Sequence, residues 1–190
     1  MILLSAILLG LPVGLVAARA QQRAYQPPTL AHIWLIFVAV LPQLAILYLP
    51  EVRRQTSDEM TGILLTVSNA LLVTFAWLNR KQSGLSLMLV GAALNFTVMA
   101  ANRGFMPISP QTAGRLVPQS ILQDIATGTR FGLKDILLQP EHTRFEWLAD
   151  RFLPPVWLPY QFAFSLGDVF LALGVFWLFA FPHFERRKPL

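Results

Sequence analysis

The sequence predicts an all-α, polytopic integral membrane protein with about five transmembrane helices. The first reason is composition, since 55% of the 190 residues are hydrophobic and 13% are charged, whereas soluble domains carry about 25% charged residues. The second reason is a series of apolar runs that approach the length needed to cross a bilayer. The third is that basic residues cluster beside these runs, where they determine the orientation of membrane proteins.

Five apolar segments are the predicted spans of a single membrane domain. In chain order they cover residues 1–18, 33–49, 61–78, 85–101 and 157–181. Arg19 and Arg23 follow the first segment and no basic residue precedes it, so we expect a retained span with its N-terminus outside. Cleavage as a signal peptide stays the alternative. Pro42 predicts a kink in the second span, and Gly91 lets the fourth span approach a neighbour closely.

Basic clusters orient the rest of the chain. Arg80 and Lys81 follow the third span, and the sequence ERRK at residues 185–188 follows the fifth. Because such clusters stay on the cytoplasmic side, we expect the C-terminus in the cytoplasm and residues 102–155 outside. The net charge of +5 is divided among separate clusters rather than gathered on one face, which argues against a nucleic-acid partner.

Residues 102–155 form the longest polar segment, and they are rich in proline. Two stretches within it, 120–126 and 143–152, predict short amphipathic helices on the outer membrane surface. In the second stretch the apolar residues recur at helical spacing, and they are Phe145, Leu148 and Phe152. Glu146 and Asp150 lie toward the opposite, polar face of that predicted helix.

Asp168 is the residue that most needs an explanation. It lies well inside the last apolar run, where a carboxylate costs roughly 2.5–3.5 kcal/mol on insertion scales. The helical rise places Asn95 at a similar depth, so an Asn95–Asp168 hydrogen bond is feasible. We expect Asp168 to lie within reach of a polar group on the fourth span or the outer loop, with Asn95 and Arg103 as the leading choices. Asn102 shares a helix face with Asn95, and Arg103 reaches inward from above. Two interpretations stay open: a polar pocket that opens outward, or a buried clamp in which Ser165 and Asp168 tie the last span to its neighbours.

Two motifs carry a resemblance to a known family. NRGFMP occupies residues 102–107 and FSLGDVFLALG occupies residues 164–174. With these motifs the chain resembles an uncharacterised family of small bacterial integral membrane proteins, a domain of unknown function with N-x-G-x-M-P and S-x-G-D patterns. The resemblance implies five spans in the bacterial plasma membrane and supplies no activity. Arg103 departs from the family pattern, since members often have a second glycine there.

The sequence predicts no catalytic residue, no metal site and no cofactor, although a bound lipid or pigment stays open. The chain has no cysteine, and nothing in it resembles a phosphate-binding loop, a nucleophile elbow or a zinc-protease motif. His32 and His183 are candidate cofactor ligands near the predicted inner face, but neither has a second ligand at helical spacing. His142, with Glu141 and Glu146 nearby, is a candidate metal ligand.

Two classes of function follow from these observations. The first is a non-enzymatic accessory or scaffold subunit of a larger bacterial membrane complex, in contact with membrane lipids and other membrane subunits. Small size, spans rich in small residues and the lack of catalytic motifs favour it. The second is a small-solute or lipid-handling protein, a carrier or an enzyme, whose outward-facing pocket lies around Asp168. The absence of catalytic motifs favours a protein that is not an enzyme.

Overall fold

Helices dominate the computed structural model, which describes residues 2–158 and 160–181. In chain order they are α1 (Ile2–Ala20), α2 (Trp34–Tyr48), α3 (Pro50–Gln55), α4 (Asp58–Leu78), α5 (Leu85–Ala101), α6 (Pro110–Ala113), α7 (Gln119–Gln123) and α8 (Leu166–Ala180). The prediction of a mostly helical fold is confirmed. Helix α7 also lies where the first of the two short loop helices is predicted.

Two of the helices, α1 and α4, are long and apolar enough to cross a membrane by length and composition. Helices α2, α5 and α8 are equally apolar in character but span 15, 17 and 15 residues. A helix along the bilayer normal takes about 20 residues to cross the hydrocarbon core. By this measure the described chain contains two candidate spans, and the other three predicted spans stay a prediction.

Helix α8 packs between α1 and α5. Glycines allow both contacts because a side chain would collide with the neighbouring backbone. A Cβ atom on Gly91 of α5 would lie 2.5 Å from the carbonyl oxygen of Gly167, and one on Gly10 of α1 would lie 2.8 Å from that of Phe176. Close backbone approach of this kind is typical of helix packing in membranes.

A small sheet is formed by residues that lie between α5 and α8 in the sequence, and it corrects the all-α prediction. Its strands are β1 (Met106–Ile108), β2 (Arg130–Phe131) and β3 (Asp135–Leu137), in the order β1–β3–β2. Strand β1 pairs in parallel with β3, and β2 pairs with β3 in the antiparallel sense. Strands of two or three residues are too short for an alternating pattern to appear in the sequence.

The predicted surface helix over residues 143–152 is wrong. Within this stretch only Glu146–Leu148 forms a helical turn, of the 3-10 type. Phe145 takes a left-handed conformation with φ of 56°, which ends any continuous helix there. Asp150, expected on the polar face, is instead buried, and its backbone N–H donates to the carbonyl oxygen of Pro107 in β1 at 3.0 Å.

The last predicted span also needs correction. Helix α8 begins at Leu166 rather than near residue 157, because Ser165 is extended and caps the N-terminus of the helix. Just before it, Phe164 pairs with Phe152 through two backbone hydrogen bonds. Asp168 therefore lies in the first turn of α8 and not in the middle of a helix. We call this end of the bundle, where α5 ends and α8 begins against the sheet, the sheet end.

We predict that Gly167→Ala destabilises the contact between α5 and α8. The new Cβ would lie 2.8 Å from the carbonyl oxygen of Gly91 and closer still to the side chain of Asn95. Overpacking of this kind costs about 1–3 kcal/mol, so the midpoint of thermal unfolding, followed by circular dichroism in detergent, should fall. The matched control is Gly114→Ala, where the nearest atom would be 3.2 Å away. Equal midpoints for the two variants would contradict the tight α5–α8 contact.

Candidate functional site

Side chains from α5 and α8 meet at the sheet end in one hydrogen-bonded cluster. Asn95 Nδ2 donates to Asp168 Oδ1 at 2.8 Å, and Ser165 Oγ donates to Asn95 Oδ1 at 2.8 Å. Ser165 is fully buried and Asn95 nearly so. The hydrogen bond between Asn95 and Asp168 that the sequence makes feasible is therefore present, and we call these three residues the polar clamp.

The same residues form a capping box at the start of α8. Ser165 Oγ accepts from the backbone N–H of Asp168 at 3.1 Å, and Asp168 Oδ2 accepts from the backbone N–H of Ser165 at 3.2 Å. A carboxylate in a first helical turn is favoured by the helix dipole. Gly167 completes the S-x-G-D motif because any side chain there would displace Asn95.

A cavity of about 670 Å³ lies beside the polar clamp. Its charged lining consists of Lys134, Asp135, Asp150 and Asp168, and its apolar lining includes Leu3, Tyr48, Phe162 and Phe164. We call it the carboxylate cavity. The helices α1, α2 and α8 contribute to it together with β3 and the loops around the sheet, so it exists only in the assembled sheet end.

Strand β1 brings Lys134 and Asp150 together. The backbone N–H of Met106 donates to the carbonyl oxygen of Lys134, and the carbonyl oxygen of Pro107 accepts from the N–H of Asp150, each at 3.0 Å. Lys134 Nζ then lies 3.0 Å from Asp150 Oδ2 and 3.3 Å from Asp135 Oδ1. One ammonium group is thus shared by two carboxylates inside the cavity.

The electrostatics of this group are dominated by burial. Burial raises the pKa of Asp150 to about 6, although Lys134 opposes the shift. Burial raises the pKa of Asp135 in the same way, again against the influence of Lys134. Burial favours the neutral amine of Lys134, but the carboxylates of Asp135, Asp150 and Asp168 outweigh it and hold the pKa above its ordinary value. The lysine is therefore a fixed positive charge, while burial holds the pKa values of both Asp135 and Asp150 above the ordinary aspartate value.

Two carboxylate oxygens of this group have no hydrogen-bond donor among the described residues, and they are Asp135 Oδ1 and Asp150 Oδ1. Asp150 is 2% exposed, and its Oδ1 has no partner among the described residues, since Lys134 contacts only Oδ2. A buried carboxylate oxygen without a donor is costly to the folded state. The Lys134–Asp150 pair is therefore not fully satisfied by the protein itself.

Asn102 and Arg103 occupy different places from Asp168. Asn102 Nδ2 donates to the carbonyl oxygen of Arg144 at 2.9 Å, and its Oδ1 accepts from the N–H of Arg144 at 3.1 Å, so it ties the end of α5 to the loop. Arg103 is exposed and lines a second cavity, of about 600 Å³, with Asp58 and Arg130. The structure therefore does not bring Arg103 to Asp168.

The two histidines in the described part of the chain, His32 and His142, do not line the carboxylate cavity. His32 is exposed just before α2. His183 lies outside the described residues. Within residues 2–158 and 160–181, no group of three or more His, Cys, Asp or Glu residues is placed to hold a metal ion, and this includes His142 with its neighbouring glutamates.

Sequence reasoning missed Lys134, Asp135 and Asp150 as members of one site. Each lies in a polar, proline-rich segment where charges ordinarily face solvent. The signal that could have found them is the apolar run at residues 136–138, directly after Asp135. Such a run within a polar segment is consistent with a short buried strand.

One protein-family model matches most of the chain. A family model described as "Family of unknown function (DUF5317)" matches residues 28–180. The chain belongs to the DUF5317 family. The matched region runs from before α2 to the end of α8 and contains every charged residue of the carboxylate cavity. A protein of Thermotoga maritima, described as an uncharacterized protein, is 33% identical over 134 residues, which cover 66% of this chain and 68% of the relative. No solved structure matches the chain.

Arg103 has a backbone conformation that is unusual for a residue with a side chain. Its φ is 60°, and that of Gly104 is 85°. These two successive left-handed residues turn the chain back onto α4. Gly62 lies directly against this turn. A left-handed conformation costs a residue with a side chain about 1–2 kcal/mol, and glycine pays no such cost.

We predict that Arg103→Gly keeps or raises stability, whereas Arg103→Val lowers it, because a β-branched residue is strained at this φ. The measurement is the midpoint of thermal unfolding in detergent. Arg144→Gly is the control, since this exposed arginine is not left-handed and its replacement should cost stability through the entropy of the unfolded chain. A larger loss for Arg103→Gly than for Arg144→Gly would contradict the strained turn.

Proposed function

We propose that this protein is a five-span protein of the bacterial plasma membrane that binds a small solute or a lipid in the carboxylate cavity. The cavity opens to the outside of the cell in this proposal, and the role is binding rather than catalysis. The single observation that carries it is the incompletely satisfied Lys134–Asp150 pair in a cavity of about 670 Å³.

Exposed apolar side chains support the membrane location. Each long helix presents such residues on its surface: Val16 of α1, Phe37 of α2, Val67 of α4, Val90 of α5 and Leu173 of α8. Soluble monomers rarely expose contiguous apolar surface on this scale, and lipid chains would cover it. Arg80 and Lys81 lie at the other end of the bundle from the sheet, which favours a sheet end outside.

The composition of the cavity supports binding. Ligand sites are concave, mostly apolar and equipped with a few polar groups that orient the ligand, with volumes of about 300–1,000 Å³. The carboxylate cavity fits this description in both volume and lining. An ion pair whose lysine side chain is 43% exposed contributes little to stability on average, and the polar clamp already joins α5 to α8. Packing alone therefore gives no reason for Lys134 and Asp150 to lie here.

An accessory or scaffold subunit of a larger membrane complex is the second candidate function. It is favoured by an apolar patch just before α8, where Val156 is 88% exposed, Trp157 80% and Tyr160 67%. Exposed aromatic residues of this kind are common in protein interfaces. They also suit the membrane–water interface, so this observation supports the proposed location as well as a partner.

The predicted topology can be tested by labelling, because the chain has no cysteine of its own. Single variants Gln123→Cys, at the sheet end, and Gln82→Cys, at the opposite end, are treated with a membrane-impermeant maleimide in intact cells. We expect labelling of Gln123→Cys at once and of Gln82→Cys only after the membrane is opened. The reverse pattern would contradict the outward orientation of the cavity.

Binding can be tested by native mass spectrometry of the full-length protein released from mild detergent. We expect a bound small molecule or lipid on the wild type and on Ala126→Phe, an exposed loop position. Ala163→Phe, which places a ring in the carboxylate cavity, should lose the bound species. A stoichiometric protein partner without any small adduct would favour the accessory-subunit function, and retention of the adduct in Ala163→Phe would contradict binding in this cavity.

A further inference from the structure

We propose that the carboxylate cavity takes a ligand that carries an ammonium group, an inference that rests on the function proposed above. The ammonium group can belong to a free amine or to the headgroup of an ethanolamine or choline phospholipid. Three observations carry it: the charge balance of the lining, the unpartnered oxygen of Asp150, and the aromatic walls.

The charge balance favours a cation. Among the described lining residues Lys134 is the basic one, and it faces the carboxylates of Asp135, Asp150 and Asp168. Formal charges of +1 and −3 leave an excess of two negative charges. Walls of low dielectric strengthen the attraction of such a site for cations and its repulsion of anions.

Two arginines that bond to backbone atoms of lining residues do not change this balance. Arg53 donates to the carbonyl oxygen of Gly132 at 2.9 Å, and Arg130 donates to that of Leu133 at 2.6 Å. Both arginines are held by backbone carbonyls of the turn between β2 and β3. Neither lines the carboxylate cavity.

Asp150 supplies the second observation. Its exposed fraction is 2%, and its Oδ1 has no hydrogen-bond donor within the described part of the chain. Lys134 also lies 3.3 Å from Asp135, so its ammonium group is divided between two acids. A second ammonium group in the cavity would bring further N–H donors and positive charge to carboxylates that Lys134 only partly neutralises.

Aromatic side chains supply the third observation. Tyr48, Phe162 and Phe164 line the cavity around the carboxylates. The faces of aromatic rings attract ammonium ions and are used in proteins to recognise quaternary ammonium groups. Carboxylates beside aromatic rings thus match an ammonium ligand better than a neutral or an anionic one.

The test uses the full-length protein in nanodiscs made of phosphatidylglycerol, which contains no ammonium group. Ethanolamine and choline are titrated as chlorides, with sodium chloride for ionic strength, sodium acetate as the anionic probe and glycerol as the neutral one. We expect saturable protection of residues 130–150 from hydrogen exchange, and a rise in unfolding temperature, with ethanolamine or choline alone.

Variants test where the ligand binds and which charge it carries. Asp135→Asn removes one negative charge and should weaken ammonium binding about tenfold. Asp124→Asn makes the same change at an exposed position outside the cavity and should bind as the wild type does. Lys134→Met should strengthen ammonium binding. If this variant does not fold, the comparison of Asp135→Asn with Asp124→Asn still tests the proposal.

The outcomes separate the ligand class from the proposed function. Saturable binding of acetate or glycerol, with ethanolamine and choline inert, would overturn the ammonium assignment and leave a ligand cavity standing. Equal weakening in Asp135→Asn and Asp124→Asn would overturn it too. If no probe binds, both fail. Weaker amine binding in nanodiscs of phosphatidylethanolamine would identify the lipid headgroup as the ligand, and equal binding would identify a free amine.

Discussion

The hydrogen bonds among Asn95, Ser165 and Asp168 determine where the last helix begins and how it meets α5. Ser165 and Asp168 cap α8 through each other's backbone N–H groups, while their side chains bond to Asn95. The absence of side chains at Gly91 and Gly167 lets the two helices come close enough for these bonds. Capping and helix pairing thus depend on the same three side chains, and a change in one affects both.

The carboxylate cavity depends on this arrangement from one side and on the sheet from the other. The start of α8 supplies Asp168, while β1 holds Lys134 and Asp150 on its two flanks through backbone hydrogen bonds. The charged residues therefore come from segments that are distant in sequence and adjacent only after folding. An ion pair between a part-exposed lysine and a buried carboxylate with an unpartnered oxygen contributes little to stability, which is why we propose a role in binding.

The helical rise per residue places Asn95 and Asp168 at similar depth and makes their hydrogen bond feasible. The environment of Asp168, however, differs from the predicted one. The sequence places this carboxylate in the middle of a long span, whereas α8 begins at Leu166 and Asp168 lies in its first turn. The S-x-G-D pattern is a helix-capping signal inside an apolar run, and a hydropathy profile does not detect such a signal. Lys134 and Asp150 could not be paired from sequence, because their proximity follows from a parallel strand pairing between residues far apart.

The most direct test of this account is a double-mutant cycle between α5 and α8, with Asn95→Ala, Asp168→Ala and the double variant. The free energy of unfolding is measured for each variant in detergent. A second cycle, in which Asp124→Ala replaces Asp168→Ala, is the distant control. The account predicts a coupling energy of about 1 kcal/mol or more between Asn95 and Asp168, and additive effects for Asn95 with Asp124. Additive effects for Asn95 with Asp168 as well, within about 0.5 kcal/mol, would contradict it.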